Sequence, residues 1–249
     1  VSLALPYFLT AAPPLPRRKA DEDVRSSNVR LKPGLMPNGN LLFSGWGLTP
    51  AGEHLPISDL ALKFVVSPDK KMLLTPSGGF NDTGLTLLDI AEKRVSQFLP
   101  LPHVWNGLAF SKDGRRVFVS GGDSGVIHVF TYADGNVTPA DAVKPAPDAL
   151  ATVLGGIAVH PKTGKLYVCN EGNHEVWVLN ADTLALEVKI AVGQHPHSCV
   201  MGADNQHLYV SNWGSRSLSL VDTEPNRRIR DFTVGLRPND MTLGPDGRL

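Results

Sequence analysis

The side chains best able to do chemistry in this sequence stand at two positions that recur along the chain. Five similar turn motifs begin at residues 67, 111, 160, 202 and 244. The position five residues before each turn is occupied in order by Leu62, Asn106, Gly155, His197 and Asn239. A second position, after the strand that follows the turn, adds Asn170, Glu171, Asn212 and Trp213. With the neighbouring Asp240, these groups predict a site for a small polar ligand or a divalent cation, because amide and carboxylate oxygens suit hard ions and imidazole suits transition metals.

Two of these candidates also have a purely structural explanation. An Asn at the end of a strand commonly caps the following turn with its own side chain. Asn170 and Asn212 occupy equivalent places in successive repeats, as they would if every repeat needed the same turn. The structural explanation is therefore favoured for this pair, with ligand binding as the alternative.

The segment QHPHS, which contains His195 and His197, is the most metal-like pattern in the chain. Alternation along an extended segment would send both imidazoles to the same side. Two imidazoles make an incomplete metal site, however, and Arg237 and Asn239 take their places in the next repeat. His195 and His197 are thus weak candidates for a divalent metal, and no cofactor is evident.

The elements that must position these residues follow from a repeat. Residues 165–196 (KLYVCNEGNH…) align without a gap with residues 207–238 (HLYVSNWGSR…), and the five turns are spaced by 44, 49, 42 and 42 residues. Each repeat contains four short alternating or β-branched runs separated by turn residues, and sustained helical periodicity is absent. Four strands per repeat of this length are typical of a β-propeller blade, whereas a β-sandwich, the alternative, needs no sequence period.

A propeller would bring the two recurring positions together. The first strand of each blade begins on the face where the second strand ends, so both positions share one rim around the central channel. The sequence therefore predicts an all-β propeller with a polar channel mouth.

The repeat also sets the expected domain organisation. About four blades fit between residues 28 and 249, so we expect part of a propeller that is seven-bladed when complete, with residues 39–58 forming an outer strand pair of a further blade. Residues 1–27 read as a leader and linker, because the apolar run over residues 1–12 resembles the remnant of a secretory signal peptide. This favours a periplasmic or secreted location, and no later apolar stretch is long enough to predict a membrane span.

Charge and cysteine content bear on the expected partners and on the state of the two cysteines. The chain has 24 basic and 24 acidic side chains, so it lacks the positive charge typical of nucleic-acid binding and no nucleic-acid partner is expected. Cys169 and Cys199 could form a disulfide or remain buried thiols, and thiols are favoured because isolated cysteines in apolar strands usually pack as small hydrophobic groups.

The succession of a PDG-type turn, LYVxN, VxVxD and VGxxP resembles the YVTN family of bacterial β-propellers over residues 60–249. The first two repeats depart from this pattern, with LLTPSGG and VFVSGG. The segment from residue 44 to residue 130 also resembles the N-terminal propeller of proteins in which such a domain precedes an alkaline-phosphatase-type phosphoesterase domain.

This resemblance implies a non-catalytic binding or scaffold module of an exported bacterial protein, accessory to a phosphoesterase domain. Its rim would bind a protein partner or a small polar ligand. The alternative is a lactonase-type hydrolase that acts at the channel mouth, with His197 as the base and the polar rim residues as ligands of any metal that takes part. The small number of carboxylates at the recurring positions favours binding over catalysis.

Overall fold

The computed structural model describes residues 55, 57, 58, 60–79 and 82–249 of the chain. The leader predicted for residues 1–27 lies outside the described residues, as does most of the strand pair predicted for residues 39–58.

The described part of the chain folds into four antiparallel sheets of four strands, here named blades 1 to 4. Blade 1 contains β1 (Val65–Val66), β2 (Met72–Ser77), β3 (Gly84–Asp89) and β4 (Arg94–Pro100). Blade 2 contains β5 (Leu108–Phe110), β6 (Arg116–Ser120), β7 (Ile127–Ala133) and β8 (Asn136–Val143). Blade 3 contains β9 (Leu154–Val159), β10 (Leu166–Asn170), β11 (Glu175–Leu179) and β12 (Leu186–Ala191). Blade 4 contains β13 (Pro196–Met201), β14 (His207–Asn212), β15 (Ser217–Asp222) and β16 (Arg227–Thr233).

Strand order in each blade follows chain order, so every blade is a simple meander. The turns that begin at residues 67, 111, 160 and 202 join the first and second strands of the four blades. The fifth motif also forms a turn, in which the Gly247 N–H donates to the Gly244 carbonyl oxygen at 2.9 Å. The sequence repeat therefore corresponds to one blade.

The hydrophobic core lies between neighbouring blades. In β10, Leu166 and Val168 pack in the cluster shared with blade 2, whereas Tyr167 and Cys169 pack in the cluster shared with blade 4. Side chains of a strand point alternately to its two faces, so both faces of blade 3 are buried. Burial of a large apolar side chain contributes about 1.5 to 3 kcal/mol, which explains why these sheets stack instead of standing alone. The all-β fold of four-stranded propeller blades predicted from the repeat is confirmed.

The state of the two cysteines and the search for a membrane-spanning helix also bear on function. Cys169 and Cys199 are buried free thiols, and the Cys199 thiol donates to the Tyr167 carbonyl oxygen at 3.5 Å. No helix in the described part of the chain is long and apolar enough to cross a membrane.

Candidate functional site at the channel mouth

Irregular strand pairing interrupts the first strands of blades 3 and 4 at the recurring position. In blade 4, Pro196 pairs with Asn212 and Ser198 pairs with Ser211, so His197 is an extra residue without a partner in β14. A β-bulge of this kind bends the strand and redirects a side chain, and such bulges are common beside active sites. The register of β9 with β10 shifts in the same region of blade 3, around Gly155.

His197 lies at the centre of a hydrogen-bonded cluster built from three blades. Its Nδ1 lies 3.0 Å from Glu171 Oε1, at the end of the second strand of blade 3. Asn106 of blade 2 places its Nδ2 2.9 Å from His197 Nε2 and 3.0 Å from the His197 carbonyl oxygen. The indole Nε1 of Trp105 donates to the same Glu171 oxygen at 2.9 Å. The four side chains Trp105, Asn106, Glu171 and His197 are called the mouth cluster below.

These contacts determine the tautomer of the imidazole. An amide nitrogen can only donate, so the Nδ2 of Asn106 requires a lone pair on His197 Nε2. The imidazole proton then lies on Nδ1 and is donated to the Glu171 carboxylate. A carboxylate in this position orients the ring and stabilises the imidazolium that forms when Nε2 takes up a proton. The arrangement is that of a general base.

The mouth cluster is largely enclosed. The side chains of His197 and Glu171 are 18% and 16% exposed, and the Trp105 ring packs edge-on against the imidazole with 6.3 Å between ring centroids. Partial exclusion of water strengthens the electrostatic interactions within the cluster. Asn106 Oδ1 is buried without a hydrogen-bond partner, which leaves one strong acceptor in the cluster unused.

Gly155 permits the cluster to close. A Cβ at this residue would lie 2.8 Å from Glu171 Oε1, 3.1 Å from the His197 carbonyl oxygen and 3.3 Å from Asn106 Oδ1. Only hydrogen on the Gly155 Cα allows these three oxygens to approach so closely. The small residue at this recurring position is therefore part of the site, even though it contributes no functional group.

The fifth repeat contributes a separate contact. Asp240 accepts a hydrogen bond from Ser198 Oγ at 2.7 Å, and the Lys63 ammonium lies 3.8 Å from the same oxygen. Burial would raise the pKa of Asp240, but the Ser198 hydrogen bond and the Lys63 charge outweigh it, so the pKa lies below its usual value. Asn239, the neighbouring candidate, uses its carbonyl oxygen to accept from Ser211 Oγ at 2.6 Å.

The remaining candidates lie away from the His197 imidazole. Asn170 accepts the Val153 N–H at 3.1 Å through its side-chain oxygen, and Asn212 donates to the hydroxyls of Ser217 and Ser219 at 3.0 and 2.9 Å. Both amides therefore make local contacts at strand ends. Trp213 is 41% exposed on the rim.

The two histidines proposed as weak metal ligands have different partners. The His195 ring packs against His174 with 4.9 Å between centroids, whereas His197 bonds to Glu171. Within the described residues, no group of three or more His, Cys, Asp or Glu side chains could hold a metal ion. Glu171 Oε1 already accepts from His197 and Trp105, and His197 Nε2 lies 2.9 Å from Asn106 Nδ2, so both groups are engaged in hydrogen bonds within the mouth cluster.

Two residues of the site were missed by sequence reasoning. Trp105 precedes the recurring position in blade 2, and Lys63 follows it in blade 1. A search of the residues on either side of each recurring position for hydrogen-bonding side chains would have found both.

Stacked four-stranded blades with polar side chains converging at the start of their first strands define a β-propeller with a candidate ligand site at the channel mouth. The chain belongs to the SMP-30/Gluconolactonase/LRE-like family, whose model matches residues 70–214.

Individual relatives agree with this fold. The chain is 27% identical over 139 residues to the seven-bladed beta-propeller protein Rv1057 of Mycobacterium tuberculosis, an alignment that covers 55% of this chain and 34% of that protein. The structure is similar to the periplasmic gluconolactonase PpgL of Pseudomonas aeruginosa, with a TM-score of 0.57, 21% identity and coverage of 72% of this chain and 55% of that one. It is also similar to the hydrazine synthase of Kuenenia stuttgartiensis, with a TM-score of 0.64, 17% identity and coverage of 81% and 57%. The two structural likenesses concern the fold alone, and the chain spans about a third of the first relative and just over half of each solved structure.

Proposed function

We propose that the channel mouth hydrolyses a lactone, with His197 as the general base. The observation that carries this proposal is the His197–Glu171 pair, which leaves the Nε2 lone pair as the proton acceptor of the ring. Membership of a family whose description includes gluconolactonase supports it, as does the similarity to a periplasmic gluconolactonase. The function is thus the hydrolase that the sequence offered as its alternative to a scaffold.

The base of the proposed reaction acts on a water molecule. A water molecule replaces Asn106 Nδ2 as the donor to His197 Nε2, and Asn106 Nδ2 keeps its bond to the His197 carbonyl oxygen. As the water oxygen bonds to the lactone carbonyl carbon, its proton moves to Nε2 and the carbonyl π electrons move to the carbonyl oxygen. The tetrahedral adduct then collapses, the ring C–O bond breaks, and the departing alkoxide takes the proton from Nε2.

Glu171 and Trp105 position the base in this mechanism. The carboxylate holds Nδ1–H at 3.0 Å and offsets the positive charge of the imidazolium. The Trp105 N–H fixes the same carboxylate oxygen at 2.9 Å. A sugar lactone is the substrate class that we propose, because the hydroxyl groups of such a ring suit the amide and carboxylate groups at the mouth.

A second candidate function is a binding module, and one observation favours it. Trp213 is 41% exposed, with the Arg237 guanidinium stacked 4.8 Å from its ring centre, and exposed aromatic and basic pairs are frequent in binding surfaces. In this form the chain would be the accessory propeller of a phosphoesterase, as the resemblance of residues 44–130 implies, with Asn239 and Asp240 on the same rim.

Location and domain limits are also part of the proposal. Export to the periplasm or beyond is proposed from the apolar run at residues 1–12, and the periplasmic location named for PpgL agrees with it. Residues 28–249 are proposed as the propeller segment, after a leader of residues 1–27.

The test is the hydrolysis of glucono-δ-lactone by the full-length protein, followed by acid release at constant pH. His197→Asn and Glu171→Gln should each lower kcat/KM by about 100-fold or more, the usual contribution of general base catalysis. His195→Asn is the matched control, because this histidine lies two residues away and its ring packs on His174. It should remain within about twofold of the wild type, inside the small range typical of surface substitutions.

The double variant Glu171→Gln/His197→Asn provides a second test of the proposal. If Glu171 acts through His197, removing both should cost little more than removing His197 alone, because residues that act as a unit are non-additive. No hydrolysis by the wild type, or equal rates for the two histidine variants, would reject the proposal and favour the binding module.

A further inference from the structure

Lys63 carries a largely enclosed ammonium group that makes no hydrogen bond to any described residue. Its side chain is 19% exposed, and the described acid with which it pairs, Asp240, lies 3.8 Å away, beyond hydrogen-bonding distance. None of its three N–H donors is used by any described residue. Charged groups with this little exposure usually have hydrogen-bond partners, because the loss of water is costly. The Lys63 donors are therefore available to an oxygen atom of a ligand.

Contacts connect Lys63 to the strand that presents His197. It follows Leu62, one residue past the recurring mouth position of blade 1, and it reaches Asp240 in the fifth repeat. Asp240 in turn accepts the hydroxyl of Ser198, the residue next to His197. One carboxylate thus joins the Lys63 ammonium to the strand that presents the base.

The ion pair alone does not account for this arrangement. A pair with 3.8 Å between its atoms and an Asp240 side chain that is 61% exposed contributes little to the free energy of unfolding. Asp240 holds the ammonium in place by charge without occupying its N–H groups.

We infer that Lys63 is a second catalytic residue of the mouth, which donates a hydrogen bond to the carbonyl oxygen of the lactone. The inference rests on the proposed function. When water adds to the carbonyl carbon and its proton moves to His197, the negative charge that develops on the carbonyl oxygen is stabilised by the Lys63 ammonium. When the ring C–O bond breaks, the carbonyl double bond re-forms and this charge returns to neutral. No proton leaves Lys63 in either step.

Blade 4 supplies the base, and blade 1 supplies the electrophilic group. Catalysis therefore depends on the packing that holds these blades in place. Lys63 is chemically distinct from the metal considered at the sequence level, because a fixed ammonium provides positive charge at the oxyanion without coordination.

The experiment compares Lys63→Met, Lys63→Arg and Lys144→Met in the full-length protein. Lys63→Met keeps most of the side-chain length and removes the charge, whereas Lys144 is an exposed lysine after β8 and serves as the matched control. Lys63→Met should lower kcat for glucono-δ-lactone by about 100-fold or more, the usual loss for one oxyanion donor. KM should change by less than about threefold, because the interaction forms mainly in the transition state. Lys63→Arg should retain measurable activity, and Lys144→Met should match the wild type.

The outcomes separate this inference from the proposed function. Loss of kcat in His197→Asn with wild-type kcat in Lys63→Met would overturn the role of Lys63 and leave the hydrolase intact. A higher KM for Lys63→Met with an unchanged kcat would also overturn the inference, because Lys63 would then contribute only to binding of the substrate in its ground state. If Lys63→Met does not fold, an inactive but folded Lys63→Arg variant would contradict the inference, since the charge is retained. Absence of hydrolysis in the wild type would reject both proposals together.

Discussion

Replacement of Gly155 by Ala is the sharpest perturbation of the mouth cluster that the structure offers. The new Cβ would lie 2.8 Å from Glu171 Oε1, whereas ordinary contacts begin at 3.4 Å, so the carboxylate must retreat by about 0.6 Å. Movement of that size would lengthen the 3.0 Å contact with His197 Nδ1 to about 3.6 Å, which is no longer a hydrogen bond. The His197 carbonyl oxygen, 3.1 Å from the new Cβ, belongs to the backbone and cannot move as freely.

We expect the Gly155→Ala variant to fold but to have a lower kcat. Displacing a catalytic group by a fraction of an ångström to one ångström lowers the rate by about 10- to 100-fold. Overpacking costs about 1 to 3 kcal/mol, partly offset by about 0.4 to 1 kcal/mol from the lower entropy of the unfolded chain. We therefore expect kcat to fall by about 10- to 100-fold while the variant remains folded, as measured by lactone hydrolysis and thermal unfolding.

A second glycine supplies the control for this prediction. A Cβ at Gly235, which precedes the fifth repeat, would meet no atom within 4 Å. Gly235→Ala should keep wild-type kcat. Wild-type kcat in Gly155→Ala would refute the reasoning, because it would mean that the close approach of Glu171 and His197 is unnecessary.

Three further predictions concern the site and the fold. Trp105→Phe keeps an aromatic ring against His197 but loses the N–H that fixes Glu171, so kcat should fall about tenfold, the cost of one hydrogen bond to a charged group, with KM unchanged in steady-state assays. Burial opposes ionisation of Asp204, but hydrogen bonds from the Gln206 N–H and from His207 lower its pKa from 3.8 to about 2. Its carboxylate thus stabilises the fold above about pH 4, and the difference in Tm between wild type and Asp204→Asn should shrink as the pH falls from 4 through 2 in calorimetry, whereas a constant difference would contradict this origin. Cys169 and Cys199 are both buried, so a thiol reagent should label neither until the protein unfolds, and burial also raises the pKa of Cys169. Rapid labelling of the native protein would show that the core between blades 3 and 4 is open.

The blades could be predicted from the sequence because every repeat must bury both faces of its sheet against neighbouring blades. Alternating residues such as Tyr167 and Val168 face opposite neighbours, and this pattern returns whenever a new blade is added. The recurring position before each turn was predictable for the same reason. It identified Asn106 and His197, which the structure places in contact at 2.9 Å.

The details of the site could not be predicted, since they depend on departures from regular strands. Simple alternation placed His195 and His197 on one side, but the bulge at His197 breaks that alternation, and His195 packs on His174 instead. The roles of Trp105 and Lys63 depend on contacts between blades far apart in sequence, which no local pattern records. The role of Gly155 depends on the absence of a side chain, so a scan for functional groups would pass over it.

The central claim is that the mouth cluster binds and hydrolyses a lactone, and its most direct test is a crystal structure of the full-length protein with gluconate, the product of glucono-δ-lactone. The expected result is a hydroxyl group of gluconate that donates a hydrogen bond to His197 Nε2, with the sugar chain against the amide of Asn106. Gluconate bound only on the rim beside Trp213 and Arg237, with His197 still capped by Asn106, would contradict the claim and identify the chain as a binding module.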